Sequence, residues 1–164
     1  MEYSDKLGPH FYYGEFVKSP TAIRLGIDNT PDDISLQNMK ALCEKVMEPI
    51  RANFKKAVLV HSGFRCEALN KAIGGSVGSQ HMNGEAVDWE IPGIDLKEIF
   101  EWIVLKSNLV WDQIIFEFAD WIHISFKRIE KNRKKITVAT KENGETIYRD
   151  YTKLQVQNKK VKYI

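Results

Sequence analysis

Cysteine is scarce in this chain, with two residues, Cys43 and Cys66, among 164. Two isolated thiols make neither a disulfide framework nor a cysteine-based zinc site. Cys43 falls in an apolar helical stripe and reads as a small core residue, whereas Cys66 follows Arg65 and lies close in sequence to a candidate site. Long hydrophobic runs are also missing. None approaches the roughly 20 apolar residues that span a bilayer, so no membrane partner is expected. The opening Met-Glu-Tyr-Ser-Asp-Lys lacks the charged-then-apolar pattern of a signal peptide. The expectation is a protein made and kept in the cytoplasm of the producing cell unless something else releases it. A strong excess of charge is lacking too. A net charge of +2 is too mild to imply a nucleic-acid partner, although the stretch from Lys127 onward is more basic than the rest. There are no internal repeats or low-complexity segments.

The length suits one compact domain, expected to be monomeric, and is sufficient to bury a core without a structural metal. The composition, 43% hydrophobic and 28% charged, is that of an ordinary globular chain. Thr30-Pro31-Asp32-Asp33 predicts a helix start, with Thr30 as cap and Pro31 at the first helical position. Met39, Leu42, Cys43, Val46, Met47 and Ile50 follow at helical spacing, and Pro49 is expected to kink or shorten that helix. Ala57–His61 reads as a short strand and Glu67–Ile73 as a short helix ended by Gly74-Gly75. Asp95 caps a helix with Leu96, Ile99, Phe100, Ile103 and Val104 on its buried face. Beyond Arg133 the alternation at Ile136, Val138, Thr146–Tyr151, Leu154, Val156, Val161 and Tyr163 predicts further strands, with Asn143-Gly144 as a hairpin turn. The fold class expected is α+β, a central antiparallel sheet flanked by helices. Residues 134–164 are read as a β-rich extension of that sheet rather than a second domain.

Three strands carry the candidate chemistry: Ala86–Ile91, Gln113–Phe118 and Trp121–Phe126. Side chains alternate across a strand. One face of each is therefore apolar, while the other presents Asp88, Glu117 and His123 respectively. His81 lies seven residues before Asp88, with Gly84 allowing a turn between them. Taken singly, each of these residues is compatible with a solvated or hydrogen-bonded surface role. Taken together, two histidines and a carboxylate with an open fourth position form a known catalytic zinc set. His61 is a reserve ligand and His10 a weaker one.

The run Ser62-Gly63-Phe64-Arg65, then Asn70, Gly74-Gly75-Ser76, and Ser79-Gln80-His81-Met82-Asn83-Gly84-Glu85-Ala86-Val87-Asp88 resembles the signature of the M15 peptidases. That family includes zinc D-alanyl-D-alanine carboxypeptidases and phage endolysins. Asp112–Phe118 followed by Trp121-Ile122-His123 is similar to its second block, and Glu15-Phe16 through Pro31 resembles the phage-type subgroup. The resemblance spans roughly residues 11–128. It implies one zinc ion held by His81, Asp88 and His123, within a fold of the Hedgehog/DD-peptidase kind. It implies that Arg65 faces a peptide substrate, a role suited to a guanidinium that can hold a carboxylate or a developing oxyanion. Ser79 and Gln80 would help to bind that substrate.

The general base is open between Glu117 and Asp120. A three-residue loop, Phe118-Ala119-Asp120, pairs Glu117 with Trp121 and turns it toward the face of His123; a two-residue loop puts it on the wrong side. The substrate implied is the stem peptide of peptidoglycan, cut either between L-Ala and D-Glu or before a terminal D-Ala. The protein would act on the wall after release, or as a virion-associated component. The rival expectation is an inactive zinc-bearing interaction module similar to Hedgehog signalling domains.

Overall fold

The computed structural model describes residues 1–163. Two short helices, α1 (Tyr13–Val17) and α2 (Pro20–Leu25), occupy the N-terminal stretch whose mixed sequence left it unassigned. Helix α3 (Asp33–Leu42) begins two residues later than Thr30 would place it. Asp32 is the cap, its carboxylate accepting from the Ser35 N–H at 2.7 Å. Pro31 therefore precedes the helix rather than opening it. The helix continues through a wide π turn at Cys43–Met47 into α4 (Glu48–Phe54). There the Glu48 N–H donates to the Cys43 carbonyl, five residues back. A proline inside a helix has no N–H to give and crowds the carbonyl four residues behind. The widened turn just before Pro49 lets the helix pass through it, so the expected break becomes a bulge.

Six strands form one sheet in the order β1-β2-β4-β3-β5-β6. They are β1 (Leu59–Ser62), β2 (Ala86–Glu90), β3 (Gln113–Glu117), β4 (Trp121–Ser125), β5 (Lys135–Glu142) and β6 (Glu145–Tyr151). The α+β class is as expected, but the sheet is mixed rather than wholly antiparallel, because β5 runs parallel to β3. Strand β4 has β2 on one side and β3 on the other, so both of its edges are taken. The chain leaving β4 joins the sheet at the free edge of β3, entering at the end where β3 begins, and so runs parallel to β3. Asn143 and Gly144, both at positive φ, then turn the chain into β6, as the Asn-Gly pair predicts.

One sheet face is dry. Val87, Trp89, Ile114, Phe116, Ile122, Ile124, Ile136 and Val138 meet the apolar sides of α3, α4 and α6 (Leu96–Glu101). Asp95 caps α6 as expected. The tail departs from its predicted strands after Tyr151. Lys153–Gln157 is a helix, α7, started by a reciprocal cap in which Thr152 and Gln155 bond each other's backbone. That local cap outweighs the two-residue alternation of Leu154 and Val156. Val156 is buried and Tyr163 packs edge-on against Phe116 at 4.9 Å, so the tail closes the core instead of extending the sheet. Between α5 (Glu67–Ala72) and β2, the loop carries a tight turn at Gln80–Asn83.

Asp112 holds the parallel junction. It is wholly buried at the head of β3. Its carboxylate accepts from the Arg133 backbone N–H at 2.9 Å and from the Arg133 guanidinium, while its carbonyl accepts from the Lys135 N–H. The starts of β3 and β5 are thereby clamped together. Asp112→Ala is expected to lower stability by about 2–4 kcal/mol, since it strips the partners from a buried charged network. Equilibrium urea denaturation measures this, and an unshifted midpoint would show that the junction is held by strand pairing alone.

Candidate active site

On the face opposite the core, the strand register lays out rows of side chains. Asp88 stands opposite His123, and His123 opposite Ile115, which neighbours Thr137 and then Asp150. In the adjoining row Trp121 stands opposite Glu117, followed by Ala139 and Tyr148. The three-residue loop Phe118-Ala119-Asp120 produces this register, with Phe118 and Ala119 at φ of 56° and 60°. Glu117 is thus diagonal to His123 and lines the same cleft. Asp120 sits exposed in the turn and lines a different depression beside Phe118 and Lys141.

His81 reaches the floor from above. Its turn ends at Gly84, where φ is 68° and a Cβ would come within 2.3 Å of the Ser35 carbonyl oxygen. Asn38 on α3 donates to the Asn83 carbonyl at 2.9 Å, anchoring the turn to the helix. His81 is buried, and its Nδ1 lies 2.6 Å from the Gly63 carbonyl. A carbonyl only accepts, so Nδ1 carries the proton and Nε2 is left with a lone pair aimed at the floor. That Nε2 stands 3.2 Å from His123 Nδ1 and 3.2 Å from Asp88 Oδ1, and His123 Nδ1 stands 2.9 Å from the same Asp88 oxygen. The three ligand atoms all lie within 4.8 Å of one another.

This donor set fits a metal. Ligands about 2.0–2.1 Å from a zinc ion at tetrahedral angles stand about 3.3–3.4 Å apart, close to the separations found here. Three potential ligand atoms converge on one point, where a cation would satisfy all of them. Burial pushes the His81 imidazole below its ordinary value despite the opposing charge of Asp88. Burial acts to raise Asp88 as well, but His81 and His123 outweigh it and hold its carboxyl well below the carboxylate range. The site therefore presents a carboxylate and an unprotonated ring, the forms that bind a metal ion. The reserve ligands lie elsewhere: His61 is 3.4 Å from Glu90 and His10 is 2.7 Å from Glu48.

Arg65 enters from the loop after β1. Its guanidinium lies 3.8 Å from Asp88 and makes only long contacts to Ser62 and Ser79, at 3.5 and 3.4 Å. Its Nε is buried without a partner. Such a group has donors to spare for a ligand carboxylate or carbonyl. Ser79 lines the cleft at the far end of this contact. Gln80 lines it too, but its amide donates to Asp112 at 3.1 Å and its carbonyl faces Arg133, so it belongs to the clamp at the β3–β5 junction. Asn70, wholly enclosed, donates to the Ser76 carbonyl and holds the loop that carries Ser79. Cys66 caps α5, its sulfur facing the Leu69 N–H, and takes no part in the cleft. Sequence reasoning passed over Gly63, Asp112 and Tyr148. Gly63 and Asp112 act on His81 and Arg133, distant in the chain, and Tyr148 reaches the cleft only through the pairing of β6 with β5 and of β5 with β3, for which no local pattern exists.

Glu117 is the one carboxyl of the cleft raised in pKa. Burial, then the neighbouring charge of Asp88, lift it above its ordinary 4.5, against the pull of His123, Trp121 and Arg65. A carboxyl tuned upward beside a metal-ready cluster is the pairing that general-base chemistry needs. The whole lies in an open cleft of about 780 Å³ bounded by the Ile73–Gln80 loop on one side and the β5–β6 hairpin on the other.

A sheet floor with a convergent His-Asp-His set, a raised glutamate and an arginine held only by long contacts in an open cleft defines a hydrolase-type site with room for a metal. Residues 9–125 match the family model for peptidase M15, and the chain belongs to that family of peptidases. No curated protein matches the chain.

Zinc titration of the metal-free protein is expected to show one equivalent bound and a rise in thermal midpoint. Free zinc at a hundredfold over Kd adds about 2.7 kcal/mol of stability by linkage. His81→Ala should lose both effects; stoichiometric zinc in that variant would move the metal to other ligands.

Proposed function

We propose that this peptidase is zinc-dependent and hydrolyses peptide bonds in the stem peptides of peptidoglycan. The cut would be that of an L-alanyl-D-glutamate endopeptidase or a D-alanyl-D-alanine carboxypeptidase of the phage endolysin kind. The observation that carries the zinc-hydrolase reading is the Glu117 carboxyl, raised by burial and by Asp88, beside the converging His81, Asp88 and His123. Those three residues would hold the ion. The chemistry a zinc ion supplies when bound is Lewis acidity toward a water and the scissile carbonyl. Glu117 takes a proton from the attacking water and returns it to the leaving amine. Arg65, with donors uncommitted, offsets charge on the tetrahedral oxygen or holds a substrate carboxylate. Gly63 keeps His81 in the tautomer that leaves Nε2 free.

The stem peptide as substrate is supported by the two M15-like sequence blocks and by an open cleft that admits an extended peptide. It would be met after release from the producing cell, in lysis or as part of a virion, with the protein acting as a monomer. An inactive Hedgehog-like module has no use for a base of raised pKa, and Glu117 favours the peptidase.

Purified peptidoglycan is expected to be cleared by the zinc-loaded protein and spared after chelation, with mass spectrometry of the digest naming the bond cut. A protein that binds the wall without releasing peptides would instead be an interaction module. Glu117→Gln should keep zinc and lose at least about 100-fold in kcat, as loss of a general base does. Glu117 must be ionised to accept a proton. Activity is therefore present above its folded pKa and falls as pH drops through it. In the metal-free protein the Glu117 carboxyl should titrate above 4.5, followed by side-chain carbon NMR, and a value at or below that would show that burial does not raise it.

A further inference from the structure

The β5–β6 hairpin lies beyond the residues 9–125 that match the family, yet it builds one wall of the cleft. Its side chains on the site face divide sharply by whether they are already engaged. Lys135 pairs with Asp150 at 3.1 Å, and Thr137 donates to the same carboxylate at 2.8 Å. Just ahead of the hairpin, Arg133 is held by Asp112. Tyr148 stands apart. Its side chain is left 58% exposed, and its hydroxyl makes no hydrogen bond among the described residues. The other tail aromatics are committed: Tyr163 packs on Phe116 and Phe100 and donates to Glu101, and the Tyr151 hydroxyl accepts from the Lys162 N–H.

Register gives Tyr148 its direction. It is the last member of the row Trp121, Glu117, Ala139, Tyr148, so its side chain leaves the sheet on the same face as Glu117. Between the two stands only the methyl group of Ala139. Neighbouring strands are about 4.8 Å apart, which puts the Tyr148 backbone about 10 Å from that of Glu117, two strands away. Ala139 is wholly buried, so its neighbours cover that span, and a peptide lying in the cleft against Glu117 would run past the phenol, since both side chains line the cleft. Arg65, held only by long contacts, and Tyr148, whose hydroxyl has no partner among the described residues, then line the cleft at different sides of the reacting groups. Burial and the charges of Glu117 and Asp88 hold the phenol above its ordinary value, so it stays a donor at neutral pH.

We infer that Tyr148 is a substrate-binding residue whose hydroxyl donates a hydrogen bond to a peptide carbonyl or carboxylate flanking the scissile bond, so that the C-terminal hairpin sets which stem peptides are accepted. The inference rests on the peptidase reading above. The phenol sits to one side of the reacting atoms, and the contact is made in the ground state and kept through the reaction. Its loss therefore acts on KM rather than kcat.

The test compares zinc-loaded wild type with Tyr148→Phe, which keeps the ring and removes the donor. Synthetic stem peptides are used at full length and shortened from either terminus. The expected result is a rise in KM of about tenfold, the usual effect of one lost hydrogen bond, with kcat within about twofold. Zinc content and thermal midpoint should not change. Shortening the peptide at the end that meets the phenol should erase the difference between the two proteins. An active wild type with an equally active Tyr148→Phe would overturn the inference and leave the peptidase reading standing. A KM difference that survives both truncations would overturn it too, as would one accompanied by lost zinc. A wild type that cleaves no stem peptide would overturn the peptidase reading and this inference with it.

Discussion

Asp88 on β2 faces His123 on β4 across a single strand pairing, and the site hangs on that register. The two side chains are brought to 2.9 Å only because both point to the open face of the sheet. A slip of one residue would send both into the core, among Val87, Trp89, Ile122 and Ile124. The dry face prevents this. Every alternate residue on β2, β3 and β4 is apolar and buried, so the hydrophobic effect that packs the helices also locks the polar residues outward. Core packing and site geometry are thus two sides of one pleated surface.

The third member of the cluster is positioned by different means. His81 comes from a turn, and a turn is held only by what it touches. Four contacts fix it: the Gly63 carbonyl on Nδ1, the Arg65 N–H on its own carbonyl, the Asn38 amide on Asn83, and the close packing of Gly84 on α3. The same loop after β1 thereby orients His81 and delivers Arg65. Burial disfavours a charged ring at His81 and lowers it, whereas the two histidines favour the Asp88 anion and hold its carboxyl low. Glu117, two residues along β3 from the floor of the cluster, bears the opposite consequence. Burial, then the Asp88 charge, raise it.

The C-terminal hairpin adds to this floor rather than standing beside it. Because β5 pairs with β3, the rows that begin with Asp88 and Trp121 run on into Asp150 and Tyr148. The clamp of Arg133 on Asp112 secures that addition at the point where the chain crosses from β4, and through Gln80 it touches the turn of His81. Extension, metal-ready cluster and catalytic loop are mechanically one unit.

Strand faces, the helix stripe and the Asn-Gly hairpin were legible in the chain, because alternation and local turn chemistry are written in neighbouring residues, and the family resemblance singled out His81, Asp88 and His123, which the fold brings together. Even the choice of Glu117 over Asp120 could be framed there as a question of loop length. What could not be read was anything depending on which distant segments meet. The parallel pairing of β5 with β3 depends on which edge of the sheet the returning chain meets. The passage of the helix through Pro49 follows from a π turn, and the helix at Lys153–Gln157 from a cap that outweighed alternation. Gln80 spends its amide on Asp112, and Tyr148 gained its place only by register across four strands. The sequence by itself determined which residues face which way and which chemistry they could perform. The tertiary structure alone decided who their neighbours are, because contacts between residues far apart in the chain are set by packing and free edges rather than by local pattern.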